Sequence, residues 1–154
     1  MRLRDLGLAV VLGLVAPVAG IGVLYLLRNA GVAQLGPRPA GALPLEQLDG
    51  TDGQPLARMA LAWLPVGVAA GAMLAAFTRS SRMAALAALT VVAGAMLLLT
   101  AAASDAIANN EPFRQDLATP FGAAGVWVSL VLLVIGAAIG ERLAAASPRA
   151  PSAA

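Results

Sequence analysis

Long apolar stretches broken by short polar ones set the pattern of this 154-residue chain. Runs free of Asp, Glu and Arg occupy 6–27, 59–78, 83–104 and 117–140. Crossing about 30 Å of hydrocarbon takes roughly 20 residues of helix, so each run is long enough to span a membrane. A charged group at the bilayer centre costs about 2.5–3.5 kcal/mol on insertion scales, and its absence favours insertion of all four. With flanking caps and turns added, the pattern predicts helices at about 6–27, 56–78, 82–108 and 119–142. Loops 28–55 and 109–118 join them at one face, and a TRSSR turn (78–82) joins the middle pair at the other. A turn this short predicts that the second and third helices pack as antiparallel neighbours. The fold class is therefore all-α, an integral membrane protein built as a single four-transmembrane-helix bundle over 1–143. The remainder, 144–154, ends in ASPRAPSAA and lacks apolar periodicity, which predicts a disordered tail.

The first run begins after Arg2 and Arg4 and carries a small-residue patch at 16–20, as a secretory signal peptide would. Its apolar stretch continues through Leu27, beyond the 7–15 residues of a signal core, so a retained first helix is expected. Arginine placement predicts the orientation. Arg2, Arg4, Arg79, Arg82, Arg142 and Arg149 fall on the side of the termini and the short turn, which makes that side cytoplasmic. Both termini are then inside, and the two longer loops outside.

The outer loops read as surface turns. In the first, Pro44 suits the opening of a short helix, Leu45 and Leu48 share a face, and Asp49-Gly50 ends it. In the second, Asn109-Asn110 can close the third helix, Glu111-Pro112 restarts a turn, and Thr119-Pro120 can open the fourth helix. Both are predicted to lie as interfacial helical turns. Pro44-Leu45-Glu46-Gln47 and Pro112-Phe113-Arg114-Gln115 share an order of Pro, apolar, charged and Gln, which could be a trace of duplicated hairpins or a coincidence of biased composition.

Composition supports the membrane assignment and removes several chemistries. Hydrophobic residues make up 60% of the chain and charged ones 12%, against roughly 25% charged in soluble domains. Every basic residue is Arg, which with the abundance of Ala and Gly points to a GC-rich, bacterial source. A pI near 10.4 hints at nucleic acid, yet the net charge is only +2, the arginines are scattered and aromatics are 4%, so no basic stacking face exists. There is no cysteine or histidine, which excludes disulfides, thiolate nucleophiles, imidazole bases and the usual zinc, copper or haem ligands. No catalytic residue, metal site or cofactor is expected. The run Asp49-Gly50-Thr51-Asp52-Gly53 resembles the start of a calcium loop but lacks the later ligands, and reads as a turn.

Asp105, Glu111, Arg114 and Asp116 form the densest polar group and are the candidate outer contact site. Gly67/Gly71 and Gly136/Gly140 are GxxxG pairs, which put both glycines on one helix face for close packing within the bundle or against another protein. Pro17 and Pro65 fall inside spanning runs and predict kinks, because each lacks a donor and crowds the carbonyl four residues back. Tyr25, Trp63 and Trp127 fall near outer helix ends, as interfacial anchors would. The hydroxyls of Thr90, Thr100 and Ser129 are expected to bond back to their own helices.

Together these features predict a non-catalytic accessory, scaffold or assembly subunit in a bacterial plasma membrane. Its partners would be the lipid bilayer and a larger membrane protein or a second copy, reached through helix faces or outer loops, and no nucleic acid. A small pore or carrier for an uncharged or lipidic solute is the alternative. A surface-active membrane enzyme using the outer carboxylates is third.

Overall fold

In a computed structural model the four apolar runs form four helices, and the structure describes residues 3–30, 56–78, 82–109 and 124–146. Helix α1 spans Leu3–Asn29, α2 Leu56–Phe77, α3 Arg82–Asn109 and α4 Ala124–Ala146. No strand occurs among the described residues. Each helix contains a segment long and apolar enough to cross a membrane, which marks an integral membrane protein.

The helices outrun the apolar runs. α1 takes in Arg4 and Asp5, and α4 continues through Glu141 and Arg142 to Ala146, into the segment predicted as tail. Charge marks where lipid ends, but it does not stop a helix: Glu, Arg, Leu and Ala are good helix formers, and propagation adds a hydrogen bond per residue. Both helices that hold an internal proline, Pro17 in α1 and Pro65 in α2, run unbroken through it. At the end of α2, Thr78 donates twice to the Leu74 carbonyl, from its amide at 2.8 Å and its hydroxyl at 2.5 Å. The predicted loop turns and the Thr119-Pro120 opening of the fourth helix lie outside the described residues.

The packing corrects one expectation. α2 and α3 follow each other across the shortest connection, yet they touch far less than either touches its main partner. α2 packs most extensively on α4 and α3 on α1, with α1–α2 and α3–α4 contacts closing the ring. A short turn holds only two helix ends together. Which helices lie side by side is decided by how closely their faces can approach, because lipid is as apolar as the side chains and leaves no hydrophobic force between helices.

Two buried clusters divide the bundle along its length. One joins Leu24 of α1, Met59 and Trp63 of α2, Leu97 of α3 and Val126 and Leu133 of α4, at the end where the long loops depart. The other joins Ala9, Ala70, Leu74, Ala85 and Leu89 at the opposite end, here the turn end. Ends of successive helices therefore alternate, so α1 runs parallel to α3 and α2 to α4. On α3 the fully buried row is Ala85, Leu89, Ala93, Leu97, Ala101, small and large in turn at four-residue steps. The buried and lipid-facing sides of such a helix differ in side-chain size more than in polarity.

Candidate polar sites at the two ends of the bundle

The outer contact site read from the sequence is only partly within the described residues. Asp105 belongs to the last turns of α3. Glu111, Arg114 and Asp116 lie outside the described residues, so the structure does not bring the four together. Among the described residues no three His, Cys, Asp or Glu side chains gather as metal ligands.

The four packing glycines lie along the α2–α4 seam, Gly67 against Gly136, Gly71 against Ala137 and Gly140 against Val68. A β-carbon on Gly67 would press on the Leu133 carbonyl oxygen and one on Gly71 on that of Ala137. From the other side, one on Gly136 would sit 2.5 Å from the Leu64 carbonyl oxygen, and one on Gly140 would press on that of Val68. The two backbones are in direct contact, and any side chain at these positions would force them apart. Small residues thus decide the α2–α4 pairing.

The three aromatics expected at the interface separate. Tyr25 is 65% exposed near the loop end of α1 and Trp127 is 38% exposed near that of α4. Trp63 differs: it is 0% exposed, and its six-membered ring lies over Gly20 of α1, where no β-carbon would fit. Position along the helix was legible in the sequence, but the face was not, since Trp63 is flanked by apolar residues on every side. Its Nε1–H is buried without a hydrogen-bond partner. Such a donor costs about 1–3 kcal/mol, so the indole is held for its bulk.

Two polar features had no place in the sequence reading as site residues. Near the start of α2, Arg58 is buried at 6% exposure. It has an interaction partner within the protein, although its Nε makes no hydrogen bond. The signal available in the sequence was its place directly ahead of an unbroken apolar run. At the turn end, Asp5 is buried in the first turn of α1, where a carboxylate meets the positive end of the helix, and it too has a partner. Nearby, Leu74, Thr78, Arg82, Leu86, Ala137 and Glu141 line a crevice between α2, α3 and α4. Its free space, open side included, is about 190 Å³, and it has no room for a water-sized sphere.

No protein-family model, curated protein or solved structure matches the chain. The arrangement itself is what informs function.

Between the two ends the hydroxyls of the described helices are spoken for. Thr90 donates to the Leu86 carbonyl, Thr100 to that of Met96 and Ser129 to that of Gly125, each at 2.8 Å within its own helix. Hydroxyls engaged this way do not line a polar path.

Proposed function

We propose that this chain is a non-catalytic accessory or scaffold subunit that binds a larger membrane protein through an outward helix face. In this reading it sits in a bacterial plasma membrane with both termini cytoplasmic. One contrast between neighbouring glycines carries the proposal. Gly20 of α1 makes room for Trp63, and its absence of side chain is used inside the bundle. Gly22, two residues on, is exposed, and among the described residues a β-carbon there would meet nothing within 4 Å. A glycine within a helix costs about 1 kcal/mol relative to alanine, a cost with no return among the described residues at Gly22. Val11, Val15, Val18 and Tyr25 are exposed on the same side of α1, at the alternating steps of four and three residues that a helix–helix seam requires. A partner helix approaching at Gly22 would use the gap.

The closed interior supports this reading over a pore. Buried positions are filled by Ala, Leu, Met and Trp, and the α2 and α4 backbones touch. Gly22→Leu is expected to leave the purified chain as well folded as the wild type. Crosslinking and affinity isolation from the native membrane should yield a membrane-protein partner at fixed stoichiometry with the wild type, and lose it with Gly22→Leu. Retention of that partner by the variant would refute the assignment of the face. Robust flux of a neutral solute through liposomes holding the purified chain alone would refute the accessory role itself.

A further inference from the structure

Of the four helix contacts that close the ring, α3–α4 is the least extensive. It is made where a β-carbon on Gly94 of α3 would lie 3.3 Å from the Leu130 side chain of α4. α3 runs away from the turn end and α4 towards it, so the register that sets Gly94 against Leu130 carries down to Arg82 opposite Glu141. The crevice between α2, α3 and α4 lies at this turn end. Leu74 and Ala75 of α2 form its floor, with Leu86 of α3 on one side and Ala137 of α4 on the other. Arg82 and Glu141 line it too, one from each side, the first exposed and the second half-buried.

Among the described residues no ion pair joins these two charges. The helix ends add to the contrast between them. α2 ends at Phe77 and α3 begins at Arg82, so the negative end of one helix and the positive end of the other border the same crevice. A cationic and an anionic pole therefore stand side by side at the membrane edge, above an apolar floor. The crevice has no room for a water-sized sphere, so it holds no hydrated ion. Whatever lies along it has to be apolar below and charged only at the mouth, which is the shape of a lipid. Its headgroup has to carry both signs. A phosphate would accept charge-assisted hydrogen bonds from the Arg82 guanidinium, and a primary ammonium would donate to the Glu141 carboxylate. A quaternary ammonium has no donor to offer, and an uncharged alcohol in its place leaves Glu141 facing a phosphate of its own sign.

We propose that the α3–α4 crevice binds one phospholipid whose headgroup carries a phosphate and a primary ammonium, with Arg82 holding the first, Glu141 the second, and an acyl chain lying over Leu74 and Leu86. The lipid covers the edge of the bundle that the helices themselves close least. This site is separate from the outward face of α1, and it is the same whichever end of the bundle faces the cytoplasm.

The test uses the full-length chain, purified in a neutral detergent and titrated with phosphatidylethanolamine, phosphatidylglycerol or phosphatidylcholine of matched acyl chains, with bound lipid counted by native mass spectrometry. One phosphatidylethanolamine per chain is expected to bind about fivefold more tightly than either of the other two, the scale of one exposed ion pair. Glu141→Gln should erase that preference and leave phosphatidylglycerol bound at least as well as by the wild type, which also shows that the variant is folded. Arg82→Gln should weaken all three lipids by about fivefold, since each carries a phosphate. Glutamine is a good helix former, so neither change disturbs its helix. Equal binding of the three lipids by the wild type, a phosphatidylethanolamine preference that survives Glu141→Gln, or undiminished binding by Arg82→Gln would each overturn the assignment.

Discussion

Trp63 offers the most discriminating test of how this bundle is held together. In a membrane the unfolded reference chain stays in lipid, so truncating a buried side chain loses packing with little hydrophobic transfer to add. Replacing Trp63 with alanine removes about 140 Å³ of side chain, and at about 24 cal/mol per Å³ of unfilled cavity the loss is about 3 kcal/mol. At 1.4 kcal/mol per decade, this lowers the folded-to-unfolded ratio by about two orders of magnitude. Trp63→Phe removes only about 40 Å³, for a cavity cost of about 1 kcal/mol. It also deletes the buried Nε1–H that has no partner, a relief of about 1–3 kcal/mol. The two variants should therefore part: alanine strongly destabilising, phenylalanine neutral or somewhat more stable than wild type. Reversible unfolding in mixed micelles with rising SDS measures both, and in each variant Trp127 is the remaining tryptophan and can report the transition. If phenylalanine costs as much as alanine, the indole nitrogen is engaged and the reasoning fails.

Two further outcomes follow from other parts of the bundle. Pro65 is exposed within α2, and alanine there would supply a donor for the Leu61 carbonyl without opening a cavity, so Pro65→Ala should be neutral or stabilising by about 1 kcal/mol in the same SDS titration. A clear loss would mean that the proline shape is needed for packing. The chain contains no cysteine, so single cysteines report membrane sidedness directly. With both termini inside, Ala145→Cys should be labelled by an impermeant maleimide only after the membrane is opened, and Asn29→Cys in intact cells; the reverse result would invert the orientation.

Several elements were legible from residue order alone. Four helices long and apolar enough to span a membrane, and the closeness allowed by Gly67/Gly71 and Gly136/Gly140, follow from local composition, because insertion depends on the summed transfer energy of about 20 consecutive residues. The back-bonding of Thr90, Thr100 and Ser129 is local too, since each partner lies four residues away on the same helix. The outer polar group did not reach the same standing, because Glu111, Arg114 and Asp116 lie outside the described residues.

Pairing was settled at the tertiary level. In a soluble helix, polarity marks which face turns inward; here the lipid side and the core side are both apolar, so the chain carries no such mark. For that reason Trp63 read as an anchor when it is a core residue, and α2 was matched with α3 when its partner is α4. By itself the sequence determined which four segments are apolar and long enough to cross a membrane. Which glycine meets which carbonyl, and hence which helices are neighbours, was decided only when four backbones competed for the closest approach.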